Sequence, residues 1–264
     1  MRTTHINRTL RASLQTLGII FLASCAILNA QPKPKSQAEV TALQAMFAAT
    51  DADSRIKTGE DVLLNFANTD FKPFVLVTIA DAYNRKGDNA KMTVYAERAI
   101  EADPKNYQAM LMLATGIASK VRENDLDKDA RLVQSEKYAN DAIAALQGAP
   151  KMNPGLTDEQ WNAAKKDYVA DAHQALGMVA SMRKKNDVAI TEYKMAVENA
   201  SNPDPATSVR LGQALNKAGK HDEAIAVLDK IMAQPDVNPQ VKQFAQAERV
   251  RAVTAKGGAA APAK

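Results

Sequence analysis

Ile79-Ala80-Asp81-Ala82-Tyr83, followed by Gly87, Ala99 and Asp103-Pro104, is echoed farther along by Leu211-Gly212-Gln213-Ala214-Leu215 with Gly219 and Ala224. Both stretches place a bulky aliphatic residue beside alanine or glycine, a second bulky residue four positions on, then a turn glycine and small residues. Alanine or glycine at a helix crossing lets two antiparallel helices approach, and the bulky residue fills the groove beside it. A helix of about 14 residues is only about 21 Å long and is marginal by itself, so each pair must bury its open face on the next. An internal repeat near ~34 residues therefore fixes the architecture before any single side chain is weighed.

Spacing tests the repeat independently of residue identity. From the leucine position to the late small position there are 20 residues for Ile79 to Ala99, 20 for Leu176 to Ala196 and 20 for Leu211 to Ile231, but 29 for Leu113 to Ala142. Three pairs agree, and the second carries nine extra residues in the charged stretch Val121-Arg122-Glu123-Asn124-Asp125-Leu126-Asp127-Lys128-Asp129, read as a solvated loop or a helix extension. Leu76, Ile79-Ala80, Tyr83, Gly87, Ala99 and Asp103-Pro104 resemble the tetratricopeptide repeat (TPR). Met92 departs from the pattern, since the family brings an alanine there.

The resemblance implies an all-α, TPR-like helical-hairpin solenoid, a right-handed superhelix, with repeats at about 73–106, 107–149, 157–204 and 205–237. Ser36-Gln37-Ala38-Glu39 has capping-box form and opens a helix through Phe47; a second helix over 54–66 completes a degenerate N-terminal pair. Thr157-Asp158-Glu159-Gln160 has the same form and begins a long helix toward Arg183, with Trp161 read as a packing anchor over the breaker-rich loop before it. Val241, Phe244, Ala245 and Val250 suggest a C-terminal capping helix, closing a domain over 36–255; residues 256–264 read as a disordered Gly/Ala/Pro/Lys tail.

Residues 1–30 read as a signal peptide: basic through Arg11, apolar over Leu17-Gly18-Ile19-Ile20-Phe21-Leu22-Ala23, small-residued at the exit. Leu22-Ala23-Ser24-Cys25 also resembles a bacterial lipobox, which would make 1–24 the leader and Cys25 a lipid anchor, although Ala26-Ile27-Leu28 is unusually apolar for the tether that would follow. The chain is thus expected to be exported, either free in the periplasm after cleavage behind Ala30 or held as a lipoprotein, with 31–35 as a linker. Any membrane tether would run through Cys25 alone. It is the only cysteine, so no internal disulfide can form.

Formal charge is +4, but Arg2, Arg8 and Arg11 supply three of those charges, leaving 31 basic against 30 acidic residues beyond them. A near-neutral remainder without interleaved aromatics argues against nucleic acid as a partner. His173 and His221 fall in different repeats and no cysteine accompanies them, so no metal site is expected; neither a phosphate-cradling glycine loop nor a cofactor motif is present, and no catalytic residue is assigned. The residues describe no enzyme.

What the resemblance implies instead is a surface lined by the first helix of each pair. Family geometry projects Val77 and Asp81, Leu111 and Thr115, Gln174, Met178 and Met182, and Val209, Gln213 and Asn216 onto it. Val77 and Asp81 stand where the chaperone-binding TPR class presents lysine and asparagine, so a carboxylate clamp is not expected. An apolar, methionine-bearing surface suits an apolar or amphipathic peptide or helix of an envelope protein. A scaffold is the first reading; a periplasmic holdase or carrier for unfolded or apolar chains is the alternative.

Overall fold

A computed structural model describes residues 32–151, 153 and 155–259. Residues 1–30, read from the sequence as a signal peptide, with Cys25 among them, and residues 260–264 lie outside the described residues. Among these, eleven α-helices and no strands are found: α1 (Gln37–Ala48), α2 (Ala52–Asn65), α3 (Lys72–Lys86), α4 (Asn89–Ala102), α5 (Tyr107–Lys120), α6 (Lys128–Gln147), α7 (Asp158–Met182), α8 (Asn186–Asn199), α9 (Pro205–Lys217), α10 (His221–Met232) and α11 (Pro239–Ala259). The chain is all-α and built of consecutive helical hairpins.

The helix ends follow local chemistry. Ser36 caps α1, its hydroxyl accepting from Glu39 N at 3.1 Å, yet Glu39 does not return to Ser36 as a capping box would: its buried carboxylate accepts from Lys35 N and from Thr69 Oγ1. Asp51 caps α2 through Ser54 N at 2.8 Å, so this helix starts at Ala52 rather than at residue 54. Pro73 and Pro205 lie in the first turns of α3 and α9, where a missing N–H costs nothing.

Two compact units are present, one formed by residues up to Gly116 with Asn140–Asn162, the other by Ile117–Ala139 with the residues from Ala163 onward. In the first, α3 packs between α2 and α4, and α1 packs on α2. Leu76, Ile79, Ala80, Ala96 and Ala99 are fully buried there. In the second, α9 packs against α8, α10 and α11, and Leu211, Leu215, Leu228 and Ile231 form one core with Tyr193, Val209 and Ala245.

One expectation is met in both its forms and one is revised. The nine extra residues of the second repeat divide between a longer connection, 121–127, and a lengthened α6 of 20 residues against 14 in α4 and α8. The loop is pinned by its own charges: Asp125 accepts from Arg122 N and pairs with Arg131, while Glu123 pairs with Lys128 and Lys184. At the other end, α11 runs to Ala259, four residues into the stretch assigned to a disordered tail.

Candidate functional site

The projected surface residues fall in both units and are described unit by unit. In the first, Val77 and Asp81 on α3 and Leu111 on α5 are buried, and Thr115 is half-buried. Asp81 forms an ion pair with Arg85 one turn on, although neither Asp81 Oδ2 nor Arg85 Nε gains a hydrogen bond of good geometry. Arg55 of α2, also buried, donates to Ala49 O. Burial and the like charge of Arg85 lower the Arg55 pKa, against a smaller opposing pull from Asp81. Asp81 therefore serves internal charge compensation.

In the second unit Met178 and Val209 are buried in the core, Met182 packs on its edge, and Gln174 is half-buried. Gln213 Nε2 donates to Glu248 Oε1 at 3.0 Å, and Asn216 Nδ2 donates to Glu248 O at 2.9 Å and to Oε2 at 3.2 Å. Glu248 is itself buried, so α11 takes up the two amides that sequence projection assigned to a partner.

What lies open is a pocket within the first unit, of about 780 Å³, in the range of small-molecule and peptide sites. Val40, Leu43 and Phe47 of α1, Phe71 and Phe74 at the start of α3, and Met110 of α5 make its apolar wall. The end of α6 closes one side with Ala144 and Ala145, and Pro32 and Pro34 border another. Phe47 and Phe74 hold each other in place, ring centroids 5.4 Å apart and tilted by 43°. The loop after α6 that contributes Ala149 and Lys151 is anchored by buried Trp161, whose Nε1 donates to Ala149 O at 3.3 Å. Lys151 is held by Leu156 O at 3.0 Å and by Asp158 at 2.7 Å.

None of these wall residues is among the projected set. Projection used repeat positions, whereas the pocket is made where the irregular N-terminal pair meets the helix ends. Its signal in the sequence is compositional: three of the six phenylalanines, Phe47, Phe71 and Phe74, fall within 28 residues and all three line it.

Elsewhere in the second unit, Asp171 is pushed up to about 7 by burial, with Asp167 and Asp204 adding like charge. Those two neighbours are committed, Asp167 to Ser201 and Asp204 to the start of α9. His173 is buried, its Nδ1 2.7 Å from Glu192 Oε2. Among the described residues no group of three or more His, Cys, Asp or Glu is placed to hold a metal ion. No described helix is long and apolar enough to cross a membrane.

Residues 75–106, spanning most of α3 and all of α4, match the tetratricopeptide-repeat family. The fold is similar to the crystal structure of a thermophilic TPR protein from Thermus thermophilus, with a TM-score of 0.51 at 18% identity over 83% of this chain and 98% of that one. A looser likeness, TM-score 0.45 at 13% identity over 85% and 97%, is to an assembly chaperone of RpL4. No curated protein matches the sequence. The chain thus carries a tetratricopeptide repeat at residues 75–106 and has a fold similar to that of a TPR protein.

Proposed function

We propose that this chain is an exported scaffold that binds an apolar or amphipathic segment of a cell-envelope protein, and that the pocket beside α1, α3 and α5 receives it. One observation carries the reading: a pocket of about 780 Å³ walled by aromatic, aliphatic and thioether side chains in the unit that holds the family repeat. Phenylalanine and methionine supply large contact area without demanding one hydrogen-bond geometry, as helix-in-groove recognition requires. The basic-then-apolar leader over 1–30 supports export, either as a free protein or through Cys25.

Ala144 tests the site. It is exposed on α6 yet borders the pocket, so Ala144→Glu brings a carboxylate to the apolar wall with little effect on folding. A fluorescent amphipathic helical peptide is titrated into the chain beginning at Gln31. Binding weakened by about 10-fold or more, with unchanged melting, supports the reading. Equal binding by Ala144→Glu and the parent would remove the pocket as the site. Leu126, fully exposed in the other unit, gives the control Leu126→Glu, which leaves binding as it is.

A further inference from the structure

We infer that the outward side of α11 is a self-association surface, on which two copies of the chain pair across a two-fold axis. The helix carries its apolar residues on the wrong side for a simple cap. Against α9 and α10 it lays Ala245, Ala252 and buried Glu248, with Val241 at the edge of the core. Phe244, its largest apolar side chain, is 55% exposed, and Val250 and Val253 are 51% and 46% exposed. A terminal helix needs a polar outer face to stay soluble by itself. This one has instead an unbroken apolar row: Phe244, Ala247, Val250 and Val253 follow at intervals of three residues, all of them exposed. Residues so spaced form one inclined ridge, the element by which a helix packs into the groove of another.

The groups around the ridge select a second copy as the occupant. Three of the four cations of α11 are paired with acids of their own molecule: Arg249 and Lys256 with Asp229 and Asp222 of α10, and Arg251 with Glu248. The fourth, Lys242, is turned back to Pro235 O at 3.4 Å. The ridge therefore calls for no partner of opposite charge. Beside it runs a row of Gln240, Gln243 and Gln246, also exposed. A two-fold interface sets the same patch against itself, which opposes any patch of single-sign charge. An amide escapes that opposition, since it both donates and accepts. Two paired helices of 21 residues, each about 31 Å long, cover little beside the standard interface of about 1,600 Å², so the pair is weak and reversible.

This surface lies in the second unit, so its test is separate from that of the pocket. The chain beginning at Gln31 is followed by sedimentation equilibrium from about 1 to about 500 μM. The mass is expected to rise from one chain toward two, with a dissociation constant on the order of 10–100 μM. Phe244→Glu and Val250→Glu, each at an exposed position, should leave melting unchanged and weaken the pair at least about 10-fold, because each brings two carboxylates to one dry contact. Leu126→Glu, exposed elsewhere in the same unit, should leave the pair as it is. A single chain at every concentration overturns the inference and leaves the ridge to a helix of another protein. A mass that climbs past two chains, or a dimer that both ridge variants leave intact, overturns it as well.

Discussion

Gly177 and Tyr193 are fitted to each other: a Cβ placed on Gly177 would stand 2.6 Å from the Tyr193 ring. Gly212 and Leu228, again 16 residues apart, repeat the relation with 2.8 Å to the leucine side chain. At the same places in the first repeat stand Ala80 and Ala96, both fully buried. Glycine against a large side chain and alanine against alanine are two ways to seat one helix crossing in a close-packed interior. Gly177→Ala has no such compensation, because the tyrosine ring is rigid and its hydroxyl meets Ser181 Oγ at 3.3 Å. We expect it to destabilise the chain by about 1–3 kcal/mol, and Gly212→Ala by less, since the leucine can change rotamer. Urea midpoints at constant m-value decide this; equal losses would show that ring rigidity is not the cause.

Lys184 occupies the turn between α7 and α8 with φ 59°, where the turns after α3 and α9 use Gly87 at 76° and Gly219 at 74°. A side chain in the left-handed region costs about 1–2 kcal/mol. Glycine in its place gives back part of that through unfolded-state entropy. Lys184 is strongly exposed, and its 2.9 Å ion pair with Glu123 adds little. Lys184→Gly should therefore stabilise by about 0.5–1 kcal/mol and raise Tm by about 2 °C. A lowered Tm would mean that the ion pair outweighs the backbone strain.

Met92 breaks the alanine rule, and the structure shows where the extra volume goes. Its buried side chain reaches toward α5, and a Cβ on Gly116 would lie 2.7 Å from Met92 Cε. Met92→Ala should cost about 2–3 kcal/mol by leaving a cavity. Gly116→Ala should cost about 1 kcal/mol, since a methionine end can give way. Adding Gly116→Ala to Met92→Ala should cost less than it does in the parent, because the added methyl then enters vacated space. Strict additivity in the double-mutant cycle would deny the pairing.

Periodicity made the helical hairpins legible, because the small residue at each crossing, the turn glycine and the proline at the next start are each required locally. Legibility fell wherever tertiary partners overrode local pattern. Glu39 has the spacing of a capping-box acid but binds Thr69, 30 residues away, which no window around α1 reveals. Gln213 and Asn216 project like partner-binding amides, yet Glu248 of α11 satisfies them; a capping helix was foreseen, but not the residue it would insert. Met178 carries the same lesson: at 7% exposure it belongs to the core, so Met178→Glu would report on folding before it reported on any partner. The pocket was missed because its walls come from helix ends and from Pro32 and Pro34, positions outside any repeat template.

Asp171 gives the second unit a pH dependence whose sign is opposite to that of an ordinary paired carboxylate. Burial first, then Asp167 and Asp204, hold its folded pKa at about 7 against an ordinary value of 3.8. Between those values the native chain binds a proton that the unfolded chain has released, so stability falls as pH rises. The contribution is whole below about pH 4, declines through the interval and is gone above about pH 7. Its full size would be several kcal/mol, but the residue is partly open to solvent, which reduces the expected change to about 1–2 kcal/mol. Asp171→Asn removes the titrating group while keeping the shape. It should raise the denaturant midpoint at pH 8, leave it nearly unchanged below about pH 4, and flatten the difference between the two; an equal shift at both pH values would show that the effect is packing rather than protonation.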